Sequence, residues 1–168
     1  MPSNFDVSFE STATVEQVHS TMCDENYWIA RIAAFGAGGT TLDSLIVDPD
    51  GAVTVVTTQD LRQDALPGPV GKFYPRDLHI LRVETWTPIG SRRVTGDISV
   101  EGVGAPVAGH GTASLQPLTT GSRLVFSGTV EFRLPLVGGK IESYLAGQLV
   151  EGITDIQRFT AGWITEHA

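Results

Sequence analysis

The chain has 168 residues, 41% of them apolar and 18% charged, and this length and balance allow a full hydrophobic core and exclude an intrinsically disordered chain. Nineteen acidic residues against 11 basic ones give a net charge of -8, which makes nucleic acid and anionic membrane surfaces poor partners. The single cysteine, Cys23, excludes an internal disulfide and favours a reducing compartment, so the expected location is the cytoplasm.

Neither a targeting segment nor a membrane span is visible in the sequence. Residues 1–6 have no basic region and no apolar run, so we expect no signal peptide. No stretch approaches the roughly 20 apolar residues of a membrane-spanning helix, so we expect no membrane insertion. Repeats, low-complexity segments and linkers are also missing, which predicts a single domain over residues 1–168.

The start of the chain predicts one strand and two short helices. Apolar and polar residues alternate over residues 4–10, as in a half-buried strand. The segment Thr14-Val15-Glu16-Gln17 has the pattern of a capping box, in which the threonine hydroxyl and the glutamine amide bind free backbone N–H groups at a helix start. Asp24 is placed to cap a second short helix. Three glycines should end that helix: Gly36, Gly38 and Gly39.

From residue 40 the hydrophobic pattern changes to a period of two, which is typical of strands. Six strand-like segments follow, over residues 40–47, 52–61, 78–87, 92–103, 107–118 and 123–134. Residues 66–75 are rich in proline and glycine and are predicted as a loop. Every link between these segments is too short for a helical crossover, so the sheet should be antiparallel.

A long helix should complete the chain over residues 136–166, opened by Pro135 and the Gly138-Gly139 pair. An apolar stripe at three- and four-residue spacing predicts it: Ile141, Leu145, Leu149, Ile153, Ile156, Thr160 and Trp163. Charged side chains, Glu142 among them, should lie mostly off that stripe. The predicted fold class is α+β, with a seven-stranded curved antiparallel sheet around a long C-terminal helix and two short helices after strand 1.

Three segments carry a resemblance to a known superfamily. They are residues 5–9 (Phe-Asp-Val-Ser-Phe), 14–18 (Thr-Val-Glu-Gln-Val) and 135–142 (Pro-Leu-Val-Gly-Gly-Lys-Ile-Glu). They resemble the START-like (helix-grip, SRPBCC) superfamily, which includes plant pathogenesis-related allergens and bacterial polyketide cyclases, and the last segment looks like an uncharacterised bacterial branch of it. The resemblance implies a cavity for an apolar ligand between sheet and helix, and it carries over no catalytic residue.

Alternation assigns one face of three strands to the inside of the sheet. These inward rows lie within residues 94–100, 107–115 and 124–134. Each row has glycine near its middle, where strands normally disfavour it. Glycine there could leave space for a cavity, or it could let the long helix approach the sheet closely.

His79 is the predicted polar group facing the cavity, because it alternates with Leu81 and Val83 while Arg82 and Glu84 fall on the opposite face. It could orient a ligand hydroxyl, act as an acid or base near neutral pH, or be a hydrogen-bonded residue at the rim. The full set of candidate ligand-binding residues is His79, Leu81, Val83, Ile98, Phe126, Phe132, Trp28, Tyr144, Leu145 and Gln148.

Other constellations indicate structure rather than chemistry. His19 and Cys23 lie four residues apart, as a base and a nucleophile would, but no third group is placed to orient them. Gly139-Lys140 is followed by isoleucine where a phosphate loop needs serine or threonine. The four histidines are far apart and no Cys-x-x-Cys pattern exists, so we predict no metal and no cofactor.

Three functions compete. The first is a carrier or sensor that binds an apolar or lipid-like small molecule. The second is a cyclase- or dehydratase-like enzyme acting on a polyketide-like or aromatic substrate, which would need at least two polar groups at one point, and His79 has only Thr57, Gln59 and Gln148 as weak helpers. The third is a protein-interaction module on the outer sheet face, against which the mixed polar outward row of residues 93–101 argues.

Overall fold

The computed structural model describes residues 2–36 and 39–168. These residues form seven strands: β1 (Ser3–Ser11), β2 (Thr40–Val47), β3 (Val53–Leu61), β4 (Leu78–Ile89), β5 (Arg93–Gly102), β6 (Val107–Pro117) and β7 (Ser122–Phe132). The α-helices are α1 (Val15–Met22), α2 (Glu25–Phe35), α3 (Gly68–Phe73) and α4 (Gly138–His167), and a 3-10 turn covers Gln63–Ala65. Apart from α3 and that turn, the order of elements is the one predicted.

The strands form one antiparallel sheet in the order β1-β7-β6-β5-β4-β3-β2. Consecutive strands from β2 to β7 pair as neighbours, and β1 closes the order against β7. The inward rows predicted for β5, β6 and β7 are correct, since Val94, Ile98, Ala113, Leu124 and Phe126 all belong to the buried core. The predicted helix-grip architecture, with two short helices after β1 and a long C-terminal helix, is confirmed.

Side-chain caps begin both short helices as predicted. The Thr14 hydroxyl accepts a hydrogen bond from the Gln17 N–H at 3.1 Å, and the Gln17 amide oxygen accepts one from the Thr14 N–H at 2.8 Å. Asp24 caps α2 by accepting a hydrogen bond from the Asn26 N–H at 2.9 Å. Gly36 is the C-terminal cap of α2, whereas Gly38, which was predicted to help end it, lies outside the described residues.

The long helix α4 runs unbroken for 30 residues, or about 45 Å, and packs mainly across β1 and β7. Its buried positions include Ile141, Ile153 and Thr160 of the predicted stripe. Glu142, which was predicted to lie off the stripe, is nevertheless buried. It accepts a hydrogen bond from the backbone N–H of Phe132 at 2.8 Å, which fixes the start of α4 against the end of β7.

The proline-rich segment predicted as a loop contains helix α3, so that part of the prediction is wrong. Pro69 lies in the first turn of α3, where its missing N–H and fixed φ suit a helix start. Val70 is buried in a second core cluster with Leu66, Leu78 and Phe132. Burial of that one side chain therefore stabilises a turn of helix that local composition disfavours.

Candidate ligand-binding cavity

A cavity of about 380 Å³ lies between the concave face of the sheet and the helices α2, α3 and α4. Most side chains that line it are apolar. From α4 come Leu145, Leu149, Ile153 and Ile156, and from the sheet come Ile80, Ile98, Val107, Phe126, Val130 and Phe132. The cavity therefore has a wall from each of the layers that the fold brings together, and no single segment forms it.

One part of the cavity wall is polar and charged. Arg31 of α2 and the β4 residues Arg82 and Glu84 line it, together with Thr57 and Gln59 of β3. The Glu84 side chain is only 3% exposed, and those of Arg31 and Arg82 are 11% and 29% exposed. This combination makes the cavity amphipathic, because its described carboxylate and guanidinium groups all belong to α2 and β4.

Glu84 is the centre of a buried hydrogen-bonded cluster. Its Oε2 atom accepts from Arg82 Nε at 3.0 Å and from Arg31 Nη2 at 3.4 Å, and its Oε1 atom accepts from Trp86 Nε1 at 3.2 Å. The Arg31 guanidinium also lies over the Trp28 ring, 4.6 Å from its centroid, where a cation–π interaction stabilises it. Both carboxylate oxygens thus have partners, as buried charge requires.

The cluster keeps all three groups ionised. Burial by itself raises the pKa of Glu84, but the positive charges of Arg82 and Arg31 and the hydrogen bonds from Trp86 and Arg82 outweigh it and hold that pKa below its ordinary value. Burial lowers the pKa of Arg31, but Glu84 and Tyr27 more than compensate and leave it raised. The cluster therefore carries two positive charges and one negative charge.

Half of the predicted ligand-binding residues lie on the cavity wall. These five residues belong to four different secondary-structure elements, which the fold brings together: Trp28 of α2, Ile98 of β5, Phe126 and Phe132 of β7, and Leu145 of α4. The weaker polar candidates Thr57 and Gln59 also line the cavity.

His79, Leu81 and Val83 were predicted on the wrong face of β4. The structure turns Leu78, Ile80, Arg82 and Glu84 toward the cavity and places these three on the outer face. The His79 side chain is 52% exposed, and its Nδ1 atom is hydrogen-bonded to Asp60 of β3. Since side chains alternate along a strand, an error of one residue in the assignment reverses every position.

Two predicted residues of α4 also lie off the cavity wall. Gln148 is exposed, and Tyr144 packs against Gly68 of α3, where a Cβ atom on that glycine would lie 3.1 Å from the phenol ring. Each of them comes one residue before a lining leucine, and one residue corresponds to a rotation of about 100° around a helix. The stripe that faces the cavity is therefore narrower than the sequence indicated.

The charged cluster was the main feature that the sequence analysis missed. The sequence did contain an indication that this face of β4 is buried. Three apolar residues share it with Arg82 and Glu84, and they are as apolar as the residues of the other face: Leu78, Ile80 and Trp86. Arg31, which compensates the buried carboxylate, is 53 residues away along the chain. No pattern within β4 could supply that partner.

The inward glycines serve different purposes. Gly109 and Gly111 both line the cavity. A Cβ atom on Gly109 would meet only the Thr129 carbonyl at 3.4 Å and the Val100 Cβ at 3.8 Å, both ordinary contacts, so this glycine leaves space. A Cβ atom on Gly111 would lie 2.5 Å from the Phe126 ring, so that glycine allows close packing of an aromatic side chain from the next strand.

The His19–Cys23 pair has no catalytic geometry. His19 Nε2 is 2.7 Å from the Gly51 carbonyl oxygen, to which it must donate its proton, and 3.9 Å from the Cys23 sulfur. Burial raises the pKa of the Cys23 thiol, so the reactive thiolate is disfavoured at neutral pH. A nitrogen that donates to a carbonyl cannot at the same time act as the base for this thiol.

Within residues 2–36 and 39–168, no three His, Cys, Asp or Glu side chains are placed so that they could hold a metal ion. None of the described helices combines the length and hydropathy that crossing a bilayer requires.

Sequence comparison finds relatives along the whole chain. A family model described as "Protein of unknown function (DUF2505)" matches residues 6–164. The "Uncharacterized protein Rv0481c" of Mycobacterium tuberculosis is 39% identical over 173 residues, which cover 99% of each chain.

Solved structures with low sequence identity have the same fold. The protein TTHA0849 from Thermus thermophilus is 15% identical with a TM-score of 0.62, and the match covers 99% of both chains. A START superfamily protein from Mycobacterium smegmatis is 13% identical with a TM-score of 0.52, and the match covers 98% of this chain and 99% of the other. These likenesses establish a START-like helix-grip fold.

Proposed function

The chain belongs to the DUF2505 family of proteins of unknown function, and we propose that it binds an apolar or lipid-like small molecule in the cavity between its sheet and α4, as a carrier or sensor. The observation that carries the proposal is the cavity itself. Its volume of about 380 Å³ falls in the range of small-molecule sites, and its wall is mostly apolar with a few polar groups on one side.

The open space within the core supports a ligand-binding site. Protein interiors are normally close-packed, with few voids larger than a water molecule. Here Gly109 and the stripe Leu145, Leu149 and Ile153 leave apolar surface facing open space. A ligand that covers this surface would gain about 25 cal/mol for each Å² of apolar area removed from water.

Among the described residues of the cavity wall, Glu84 is the one acidic side chain, and its chemistry favours binding over catalysis. A general acid or base works best with a pKa near the operating pH. Glu84 is held ionised by two arginines, and its lowered pKa makes it a poor base. The cyclase-like alternative would rest on His79, which lies on the outer face of the sheet.

We further propose that the chain works as one START-like domain in the cytoplasm. The sheet and α4 together extend from Ser3 to His167, so the two ends of the chain share one core. A single cooperative unfolding transition, with the same midpoint by circular dichroism and tryptophan fluorescence, would support one domain. Recovery of the native protein in a membrane or secreted fraction would contradict the location.

The binding proposal is tested with an uncharged fluorescent probe and two leucine variants. Nile red should bind to the wild type. Gly109→Leu places a side chain in the cavity and should lower the probe affinity at least about tenfold, with little change in stability. Gly147→Leu is the matched control, because Gly147 is an exposed position of α4 where a Cβ atom would meet nothing within 4 Å apart from the adjoining helix backbone.

Native mass spectrometry of freshly purified protein supplies an independent measurement. A retained apolar molecule that disappears on denaturation would support a carrier or sensor. If the wild type retains no ligand and does not bind Nile red, the proposal fails. Equal probe binding by both leucine variants would place the probe outside the cavity and would also contradict it.

A further inference from the structure

The charges on the cavity wall do not balance. Arg31 and Arg82 contribute two positive charges and Glu84 contributes one negative charge. Among the described residues that line the cavity, no other acidic side chain is present. The wall of the cavity therefore carries one excess positive charge, on the side formed by α2, β3 and β4.

Arg82 is the more accessible of the two arginines on the cavity wall. Its Nε atom is hydrogen-bonded to Glu84 at 3.0 Å, but within residues 2–36 and 39–168 neither of its Nη atoms has a protein hydrogen-bond partner. Arg31 differs, because it is 11% exposed, donates to Glu84 and lies over the Trp28 ring. Arg82, with a side chain 29% exposed, is thus the guanidinium that a ligand in the cavity can reach more readily.

Glu84 also fixes the direction of these donors. The hydrogen bond from Arg82 Nε to Glu84 Oε2 restrains the guanidinium, so its orientation is set before a ligand arrives. A fixed guanidinium offers parallel N–H groups that match the two oxygens of a carboxylate. In a cavity of low polarity, this charge-assisted contact is stronger than the same contact in water.

We propose that the ligand is an amphiphile, an apolar chain or ring system bearing a single carboxylate, and that Arg82 binds the carboxylate while the apolar part lies against Ile98, Phe132 and Leu145. This inference rests on the proposed function and specifies its ligand class. One carboxylate neutralises the one excess charge, whereas a phosphate monoester would bring close to two negative charges and leave one uncompensated. Thr57 and Gln59, on the neighbouring strand, offer additional neutral hydrogen-bonding groups.

The test compares four ten-carbon compounds that differ only in the head group: decanoate, 1-decanol, decylamine and decyl phosphate. Each is titrated against the Nile red complex at pH 7.5. Decanoate should displace the probe at least about tenfold more effectively than decanol, which corresponds to one charge-assisted contact. Decylamine should be the weakest competitor because the wall already carries positive charge.

Substitutions of Arg82 test whether this residue causes the preference for decanoate over decanol. Arg82→Gln should reduce decanoate affinity at least about tenfold, to the level of decanol, while decanol affinity changes by less than about twofold. Arg82→Lys keeps the charge and should retain part of the preference. Arg123→Gln is the matched control, because this arginine of β7 is exposed and paired with Glu10. The ligand series on the wild type needs no variant, so the inference stays testable even if Arg82→Gln does not fold.

The outcomes separate this inference from the proposed function. If none of the four compounds displaces Nile red and the probe itself does not bind, the proposed function fails. If decanoate and decanol compete equally, binding stands and the carboxylate inference is overturned. Tighter binding of decyl phosphate or decylamine than of decanoate would also overturn it. An unchanged decanoate preference in Arg82→Gln would overturn the assignment to Arg82.

Discussion

The ring of Phe5 in β1 lies over Gly128, the residue directly opposite it in β7. A Cβ atom on Gly128 would be 2.6 Å from Cζ of Phe5 and 2.7 Å from the carbonyl oxygen of His110. Gly96 has the same relation to Trp86, its partner in β4, at 2.5 Å. Glycine at these two positions therefore makes room for an aromatic ring of the neighbouring strand, which is neither a cavity nor a close approach of the helix.

Gly128→Ala should destabilise the protein by about 1–3 kcal/mol, because the added methyl group collides with both a ring and a backbone oxygen. Gly147→Ala is the control and should be stabilising by about 0.5–1 kcal/mol, since Gly147 lies in a helix with open space around it. Urea unfolding of both variants measures the difference. A neutral Gly128→Ala would contradict the packing that we describe.

Glu84→Gln should destabilise the protein by about 3–5 kcal/mol, because Arg31 would lose its counter-ion in a buried position. The folded-state pKa of Glu84 is lowered, so its contribution is complete above the unfolded pKa of about 4.3 and is lost as the pH falls through the folded value. The stability difference between wild type and variant should therefore shrink below about pH 4.

The control for this prediction is Glu10→Gln, which removes one partner of the exposed Glu10–Arg123 pair. It should change the free energy of unfolding by less than about 1 kcal/mol. Unfolding by urea between about pH 3.5 and 8, a range that spans the unfolded pKa, provides the measurement. If Glu84→Gln and Glu10→Gln lowered the free energy of unfolding by similar amounts, Glu84 would not be compensating a buried charge.

The buried hydroxyl groups of Tyr27 and Thr160 join α2 to α4 at a distance of 2.6 Å. Thr160 donates to the Ile156 carbonyl at 2.8 Å, so the Tyr27 hydroxyl must donate to Thr160. Tyr27→Phe should cost about 0.5–1.5 kcal/mol, because it removes one hydrogen bond and leaves Thr160 paired. Thr160→Val should cost more, about 1–3 kcal/mol, because it leaves a buried phenol without an acceptor. Thermal unfolding would rank the two, and the reverse order would contradict this donor assignment.

His79→Gln should leave Nile red affinity unchanged within about twofold, because its side chain lies on the outer face of the sheet beside Asp60. Gly109→Leu, on the inner face, serves as the comparison that does lower affinity. Fluorescence titration of both variants is the measurement. A loss of affinity in His79→Gln would restore His79 as a ligand-binding residue.

Part of the candidate site was predictable from the sequence. A lining residue could be assigned where its strand has one clearly apolar face, and could not where both faces are mixed. Phe126 and Phe132 were assigned correctly because β7 has one clearly apolar face. In β4 both faces combine apolar and polar residues. Leu81 and Val83 share a face with His79, and Ile80 shares the other face with Arg82 and Glu84. Burial of a charged face is possible only when another element brings a counter-ion.

Apart from α3 and the 3-10 turn, the sequence by itself determined the elements and their order, because helix caps, hairpin links and hydrophobic periods are set by residues within about ten positions of each other. The capping box at Thr14 and the stripe that begins at Ile141 are examples. Only the tertiary structure decided which face of β4 is buried, because Arg31 reaches Glu84 from α2, 53 residues away. It also decided that Gly128 accommodates Phe5, since a glycine in a strand does not specify the side chain that will lie over it.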